Sequence, residues 1–191
     1  MYENGDTSAV TQDLGTRFET EKITYKLYPS CQCNHAAIEG MLQLKHEFGL
    51  EPEEVKSVEV FVSEYMQRLV GAAFRPEVNP QVAAQFSVQY SIAAVLLYGH
   101  LGVMEIREDA ILDPRIRDLV ARVVVNIDPE NLNNYAPVRL KVTRQDGSVI
   151  ERKVTSYRGN SDMPLSDADM KEKLAMCVEG GGVAVNASQI D

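Results

Sequence analysis

The sequence predicts an α+β fold: a mostly antiparallel sheet of about five strands, with helices packed mainly on one face. Three observations carry this expectation. The apolar patterning runs strand, helix, strand, two helices, strand, hairpin, helix, which is not the regular alternation of a parallel α/β sheet. Asp146-Gly147 lies between two alternating runs, a strong hairpin signal. Asn79-Pro80 and Asp113-Pro114 each place a capping side chain before a proline at the first helical position, so the middle of the chain is helical.

Taken in order, residues 1–19 are polar, turn-rich and without periodicity, and read as a linker or lead-in. Ile23, Tyr25 and Leu27 alternate with Thr24, Lys26 and Tyr28, the period of a half-buried strand ended by Pro29. Asn34 is a candidate N-cap for a helix of about three to four turns through Ile38, Met41, Leu42 and Leu44, stopped by Gly49. Val55 to Val62 alternates so that Val58, Val60 and Val62 share a face. A short helical turn and a loop fill Ser63 to Asn79, and one long apolar helix then spans Val82 to Tyr98, closed by Gly99.

A helix from Asp113-Pro114 passes into the β-branched run Val123 to Ile127. After an Asn-rich loop, Val138, Leu140 and Val142 form one hairpin strand and Val149 to Tyr157 the other. Ser166 and Asp169 make a capping box for a last helix through Met170, Leu174 and Cys177. One domain over 20–178 and a flexible tail over 179–191, released by Gly180 to Gly182, complete the plan.

Composition narrows the function. The chain has 191 residues and a formal net charge of −9, so no broad cationic surface exists to neutralise a nucleic-acid backbone. The longest apolar candidate, Ile92 to Leu97, is far too short to cross a bilayer, and no leader pattern follows Met1. The expectation is a soluble, cytoplasmic protein without membrane or nucleic-acid partners. Three cysteines, an odd number, point to reduced thiols rather than a disulfide framework. An anionic ligand would have to be met by lysines and arginines gathered in one cleft against the overall field.

Cys31-Gln32-Cys33-Asn34-His35 sets two thiols and an imidazole at alternate positions, a donor set that zinc would take. The remaining candidates, His46, His100 and Cys177, are scattered over helices or their ends, and the favoured reading is a turn with small buried thiols and no metal. Phosphate loops of the G-x-G-x-x-G and G-x-x-x-x-G-K-[ST] types are absent, as is a G-x-S-x-G elbow. Lys26 is more informative. It sits opposite Ile23, Tyr25 and Leu27, beside the Pro29-Ser30-Cys31 turn, where a lysine can hold a carboxylate or an enolate as a point charge; otherwise it is a solvent-facing strand lysine. Tyr65, Arg68 and Arg75 after the second strand could complete a cationic rim, or be surface residues.

Several stretches together carry a resemblance: Tyr25-Lys26-Leu27-Tyr28-Pro29-Ser30-Cys31 with His35, Phe86-Ser87-Val88-Gln89-Tyr90-Ser91-Ile92-Ala93, Asp113-Pro114-Arg115-Ile116-Arg117, and Pro164-Leu165-Ser166-Asp167. Over most of residues 20–178 the chain resembles the C-terminal half of the MmgE/PrpD family, which includes 2-methylcitrate dehydratases and cis-aconitate decarboxylases. The resemblance implies a lid-like α+β domain packed on a larger helical N-terminal domain, in an enzyme that eliminates or removes a group next to a carboxylate without metal or other cofactor.

It further implies that Lys26 faces the active-site cleft, that Ser30 and Cys31 occupy the adjoining turn, and that a tyrosine after the second strand, Tyr65 here, lines the cleft. Lys26 and Tyr65 are thus the catalytic candidates, and Lys26, Ser30, Cys31, Arg68 and Arg75 the substrate-binding ones. His35 is expected to make a hydrogen bond at the turn or helix start. The acid/base groups would lie in the helical domain, so this chain alone would be inactive and the complete enzyme a homodimer acting on a small carboxylate in propionate metabolism. A two-domain member needs about twice this length. The alternatives are a free-standing carboxylate-binding domain, and an interaction module whose apolar Val82 to Tyr98 helix packs on a partner protein.

Overall fold

The computed structural model describes residue 8 and residues 11–182. Most of the predicted lead-in, residues 1–7 and 9–10, lies outside the described residues, as does the end of the predicted tail, 183–191. Seven α-helices and a four-stranded sheet are formed among the described residues, in the order α1 (Gln32–Phe48), β1 (Val55–Val62), α2 (Glu64–Val70), α3 (Pro80–Gln85), α4 (Val88–Tyr98), α5 (Glu108–Ile111), α6 (Pro114–Val120), β2 (Val123–Ile127), β3 (Val138–Arg144), β4 (Val149–Val154) and α7 (Asp167–Gly181).

The fold class is α+β, but the sheet is mixed and has four strands in the order β2-β1-β3-β4. β1 pairs antiparallel with β3, and β3 with β4, through the predicted hairpin, whose Gly147 takes φ +85°. β2 is parallel to β1, with Val58 opposite Val123 and Val60 opposite Val125. The helices α2 to α6 carry the chain across between these two strands, the kind of long connection that parallel neighbours require.

The missing fifth strand is residues 23–28. Their alternation is real, but Ile23 is 50% and Tyr25 56% exposed, and only Leu27 of the apolar set is buried. One main-chain bond, Tyr25 N–H to Gly159 O at 2.9 Å, replaces a ladder. β4 also ends at Val154, short of the predicted Tyr157, which turns inward from a loop.

Val58, Val60 and Val62 of β1 and Leu140 and Val142 of β3 are fully buried beneath α1 and α4. Gly40 brings α1 down onto this face: a Cβ there would stand 2.8 Å from Leu140 Cδ1 and 2.9 Å from Val154 Cγ2. The opposite face is polar, with Lys141 paired to Glu59 at 2.8 Å and Arg139 lying 3.6 Å over the Phe61 ring.

Local chemistry sets the helix ends. Gly49 and Gly99 close α1 and α4 in the left-handed conformation, as expected. The Asn79, Asp113 and Ser166 side chains cap α3, α6 and α7. Asn34, expected to cap α1, lies within it, since the helix starts at Gln32 with Cys31 as N-cap. The single long helix expected over Val82 to Tyr98 is two, because Ser87 leaves the helical conformation and its Oγ accepts the Tyr90 N–H, opening α4. Residues 88–96 of α4 are all buried within this chain, so the apolar run predicted as a partner surface is largely consumed in its own core. α7 continues to Gly181, past the predicted start of the tail.

Candidate active site

A cleft of about 510 Å³ opens beside the turn that leads into α1. Lys26 and Tyr28 to Cys33 form one wall, Tyr65 and Leu69 of α2 another, and Gln85, Phe86, Tyr135 and Lys173 close the rim. The structure therefore brings Lys26, Ser30, Cys31 and Tyr65 together. Arg68 instead lines a neighbouring depression with Ser63 and Leu132, and Arg75 is exposed on the loop after α2, so these two expected members of a cationic rim do not line the cleft.

The turn is fixed by one carbonyl. Gln85 O, at the end of α3, accepts from Cys31 N–H at 2.8 Å, Ser30 Oγ at 3.0 Å and Asn34 Nδ2 at 3.3 Å. Ser30 Oγ also accepts from Asn34 Nδ2 at 2.7 Å. Ser30 therefore positions the turn, and its hydroxyl proton is engaged with Gln85 rather than directed into the cleft. Behind the turn, Tyr28 donates to Glu39 Oε1 at 2.8 Å, and Arg158 bonds Glu39, Tyr28 and Asp169 of α7. This polar cluster joins the turn, α1 and α7 under the cleft floor.

Lys26 Nζ makes no hydrogen bond or ion pair among the described residues. Its carbonyl accepts from Lys173 Nζ at 2.6 Å, which brings a second ammonium to the cleft. Tyr65 and Tyr135 meet edge to face with centroids 6.3 Å apart, and burial, then Tyr65 beside it, raises the Tyr135 phenol above its ordinary value. A tyrosine so placed is a neutral hydrogen-bond donor at physiological pH.

Cys31 is half-buried and its thiol is held down to about 6, chiefly by a hydrogen bond from Cys33; the Lys26 charge adds to this and burial opposes it. The Cys33 thiol, which donates to Asn134 O at 3.6 Å, is pushed up correspondingly by the neighbouring Cys31 and by burial. Among the described residues no group of three or more His, Cys, Asp or Glu is placed to hold a metal ion.

His35 is fully buried, set edge-on between Tyr28 and Tyr157 at 5.2 and 5.5 Å. The hydrogen bond expected of it is not formed by either ring nitrogen with good geometry. Burial, reinforced by the Lys26 charge, lowers it to about 4, so it is a neutral packing residue at physiological pH.

Sequence reasoning missed Lys173, Tyr135, Gln32 and Gln85. No local pattern marks Lys173, which reaches the cleft because α7 folds back across 147 residues of chain to Lys26. Tyr135 comes from the Asn-rich loop, where spacing carries no orientation signal.

No helix among the described residues is long and apolar enough to cross a membrane. Two cis-aconitate decarboxylases are similar to the chain over 164 residues: the human protein at 25% identity and the mouse protein at 21%. Each alignment covers 82% of this chain and 33% of the relative, so the chain spans about a third of the length of the curated relatives it matches. The model of the MmgE/PrpD C-terminal domain matches residues 28–190, beginning just after Lys26. With its α+β architecture and its cleft at the start of α1, the chain belongs to the MmgE/PrpD family, as a C-terminal domain of that family.

Proposed function

We propose that this chain is the cleft-bearing C-terminal domain of a carbon–oxygen lyase or decarboxylase that acts on a di- or tricarboxylate. One observation carries the reading: in a chain with 28 acidic residues, the cleft is lined, among the described residues, by two lysines and not one Asp or Glu. A local cationic site inside an anionic protein is suited to a small polyanion. Similarity to cis-aconitate decarboxylases, whose name specifies a tricarboxylate, supports the same class.

In a dehydration a base removes a carbon-bound proton next to a carboxylate and the hydroxyl leaves as water. In a decarboxylation a C–C bond breaks to release carbon dioxide and the carbon left behind is protonated. In either case negative charge passes onto a carboxylate that remains. Lys26, whose ammonium has no partner among the described residues, is suited to receive that charge, and Lys173, tethered to its carbonyl, is suited to a ground-state carboxylate. Tyr65 and Tyr135 bring phenol hydroxyls to the cleft as hydrogen-bonding groups. The proton-transferring base and acid then come from a helical N-terminal domain, in a cytoplasmic homodimer that places this chain opposite it.

Calorimetric titration of the chain with citrate tests the reading. Saturable binding is expected, weakened about tenfold in Lys26→Ala, which is about 1.4 kcal/mol, and weakened further by salt. A parent chain that does not bind citrate, or a Lys26→Ala variant that binds it equally well, would overturn the proposal.

A further inference from the structure

Lys173 stands at the cleft although α7, the helix that carries it, has no buried residue. Further along α7, Met176 and Gly180 come close to Gly102 and Val103. Lys26 and Lys173 both bring ammonium groups to the cleft, and like charges so placed repel each other. The bond from Lys173 Nζ to the Lys26 carbonyl, at 2.6 Å, therefore forms against a repulsion and needs support from elsewhere on the helix.

That support lies one turn back. Asp169 is four residues before Lys173, so the two side chains share a face of α7. The Asp169 carboxylate is divided: Oδ2 accepts the Ser166 N–H at 2.9 Å, closing the capping box, and Oδ1 accepts from Arg158 Nη1 at 2.8 Å. Arg158 uses its other two nitrogens on the far side. Nε donates to Glu39 Oε1 of α1 at 2.8 Å, and Nη2 to the Tyr28 hydroxyl at 2.9 Å. Tyr28 lines the cleft two residues after Lys26, and its hydroxyl in turn donates to Glu39. The next residue, Gly159, accepts the Tyr25 N–H at 2.9 Å. Residues 158 and 159 thus hold both the segment that carries Lys26 and the helix that carries Lys173. A planar guanidinium directs three nitrogens to three partners, which the point charge of a lysine cannot do.

We propose that Arg158 is a positioning residue of the cleft: through Asp169 it fixes the rotation of α7 about its axis and so places Lys173 beside the Lys26 carbonyl. Arg158 does not itself line the cleft, and it acts on a bound anion through Lys173. The proposal rests on the carboxylate reading for its ligand but not for its geometry.

Two variants test it. Asp169→Asn keeps an oxygen to accept from Ser166 and leaves Glu39 its partner, but removes the charge that Arg158 holds. Arg158→Lys keeps a positive charge beside the buried Glu39 without the three-way fork. Brief acylation of the folded chain with acetic anhydride, read by peptide mass analysis, compares Lys173 with Lys153, which is exposed on β4. The ratio of Lys173 to Lys153 acylation should rise roughly threefold in both variants, the factor that corresponds to losing a partly exposed ion pair. Citrate titration adds a readout that a general loosening of the fold would not move. Asp169→Asn should weaken citrate binding roughly threefold more in the parent than in a Lys173→Ala background. The lost negative charge acts in both backgrounds and cancels in the comparison. An acylation ratio equal to the parent's in either variant would overturn the proposal, since Met176 and Gly180 would then hold α7 unaided. Equal effects of Asp169→Asn with and without Lys173 would overturn it too. If the parent chain does not bind citrate, the carboxylate reading falls and the acylation ratio alone decides the role of Arg158, so the two can fail separately.

Discussion

Replacing Gly159 with alanine should damage the cleft from a distance. Gly159 takes φ +92°, donates to Met163 O at 2.8 Å and accepts from Tyr25 N–H at 2.9 Å. A Cβ would stand 2.0 Å from Tyr25 O, a backbone atom that no side-chain rotation can move aside. The left-handed conformation alone costs an alanine about 1–2 kcal/mol. Relieving the contact means displacing the Tyr25-Lys26 segment, which forfeits the Tyr25 hydrogen bond, worth about 1 kcal/mol, and disturbs the Lys173 bond to the next carbonyl. Gly147→Ala is the matched control, because Gly147 has φ +85° with nothing within 4 Å of the added Cβ. Thermal and urea unfolding followed by circular dichroism should place Gly159→Ala about 1–2 kcal/mol below Gly147→Ala, roughly 2–8 °C in Tm for a domain of this size. Citrate affinity should fall in Gly159→Ala alone. Equal destabilisation by the two alanines would refute the argument that Gly159 is required by the approach of the Lys26 segment.

His35 gives a pH dependence. Its folded-state value of about 4 lies below the ordinary 6.5, so its contribution is complete above pH 6.5 and is lost as the pH falls to about 4. The displacement corresponds to about 3 kcal/mol. His35→Phe should remove that part of the slope of unfolding free energy between these pH values, and a slope identical to the parent's would count against a buried neutral imidazole. Gly40→Ala should lower stability although alanine favours helix by about 1 kcal/mol, because the methyl meets the buried Leu140 and Val154 side chains and overpacking costs about 1–3 kcal/mol. A rise in Tm would show that α1 has room to shift.

Elements set by local chemistry were legible in the sequence. Val55 to Val62 alternates because one face of β1 is buried, and Asn79-Pro80, Asp113-Pro114, Asp146-Gly147 and Ser166 with Asp169 mark ends whose side chains cap or whose backbone turns there. Elements set by distant partners were not. Nothing between residues 23 and 28 reveals that the segment docks on Gly159 instead of joining a sheet. Val82 to Tyr98 has Gln85, Ser87, Gln89 and Ser91 spread among apolar residues, so the interruption at Phe86 and Ser87 does not stand out as a break in hydropathy. The parallel pairing of β2 with β1 depends on the crossover rather than on either strand's pattern.

The site divides along the same line. Lys26, Ser30, Cys31 and Tyr65 lie near recognisable sequence landmarks and share the cleft, whereas Lys173 and Tyr135 arrive through tertiary folding. Arg68 and Arg75 were plausible by charge alone, but their sequence positions could not tell which side of α2 and its following loop would border the cleft.

α7 contains no buried residue. Its fastening is largely polar: Asp169 to Arg158, Lys173 to the Lys26 carbonyl, and a close approach of its last turns to Gly102 and Val103. A wall held in this way shares a solvent variable with the anion it faces. Added salt screens the ligand's attraction to the lysines and also loosens the ion pair that helps hold one of those lysines in place, so ionic strength governs both the charge of the cleft and its shape.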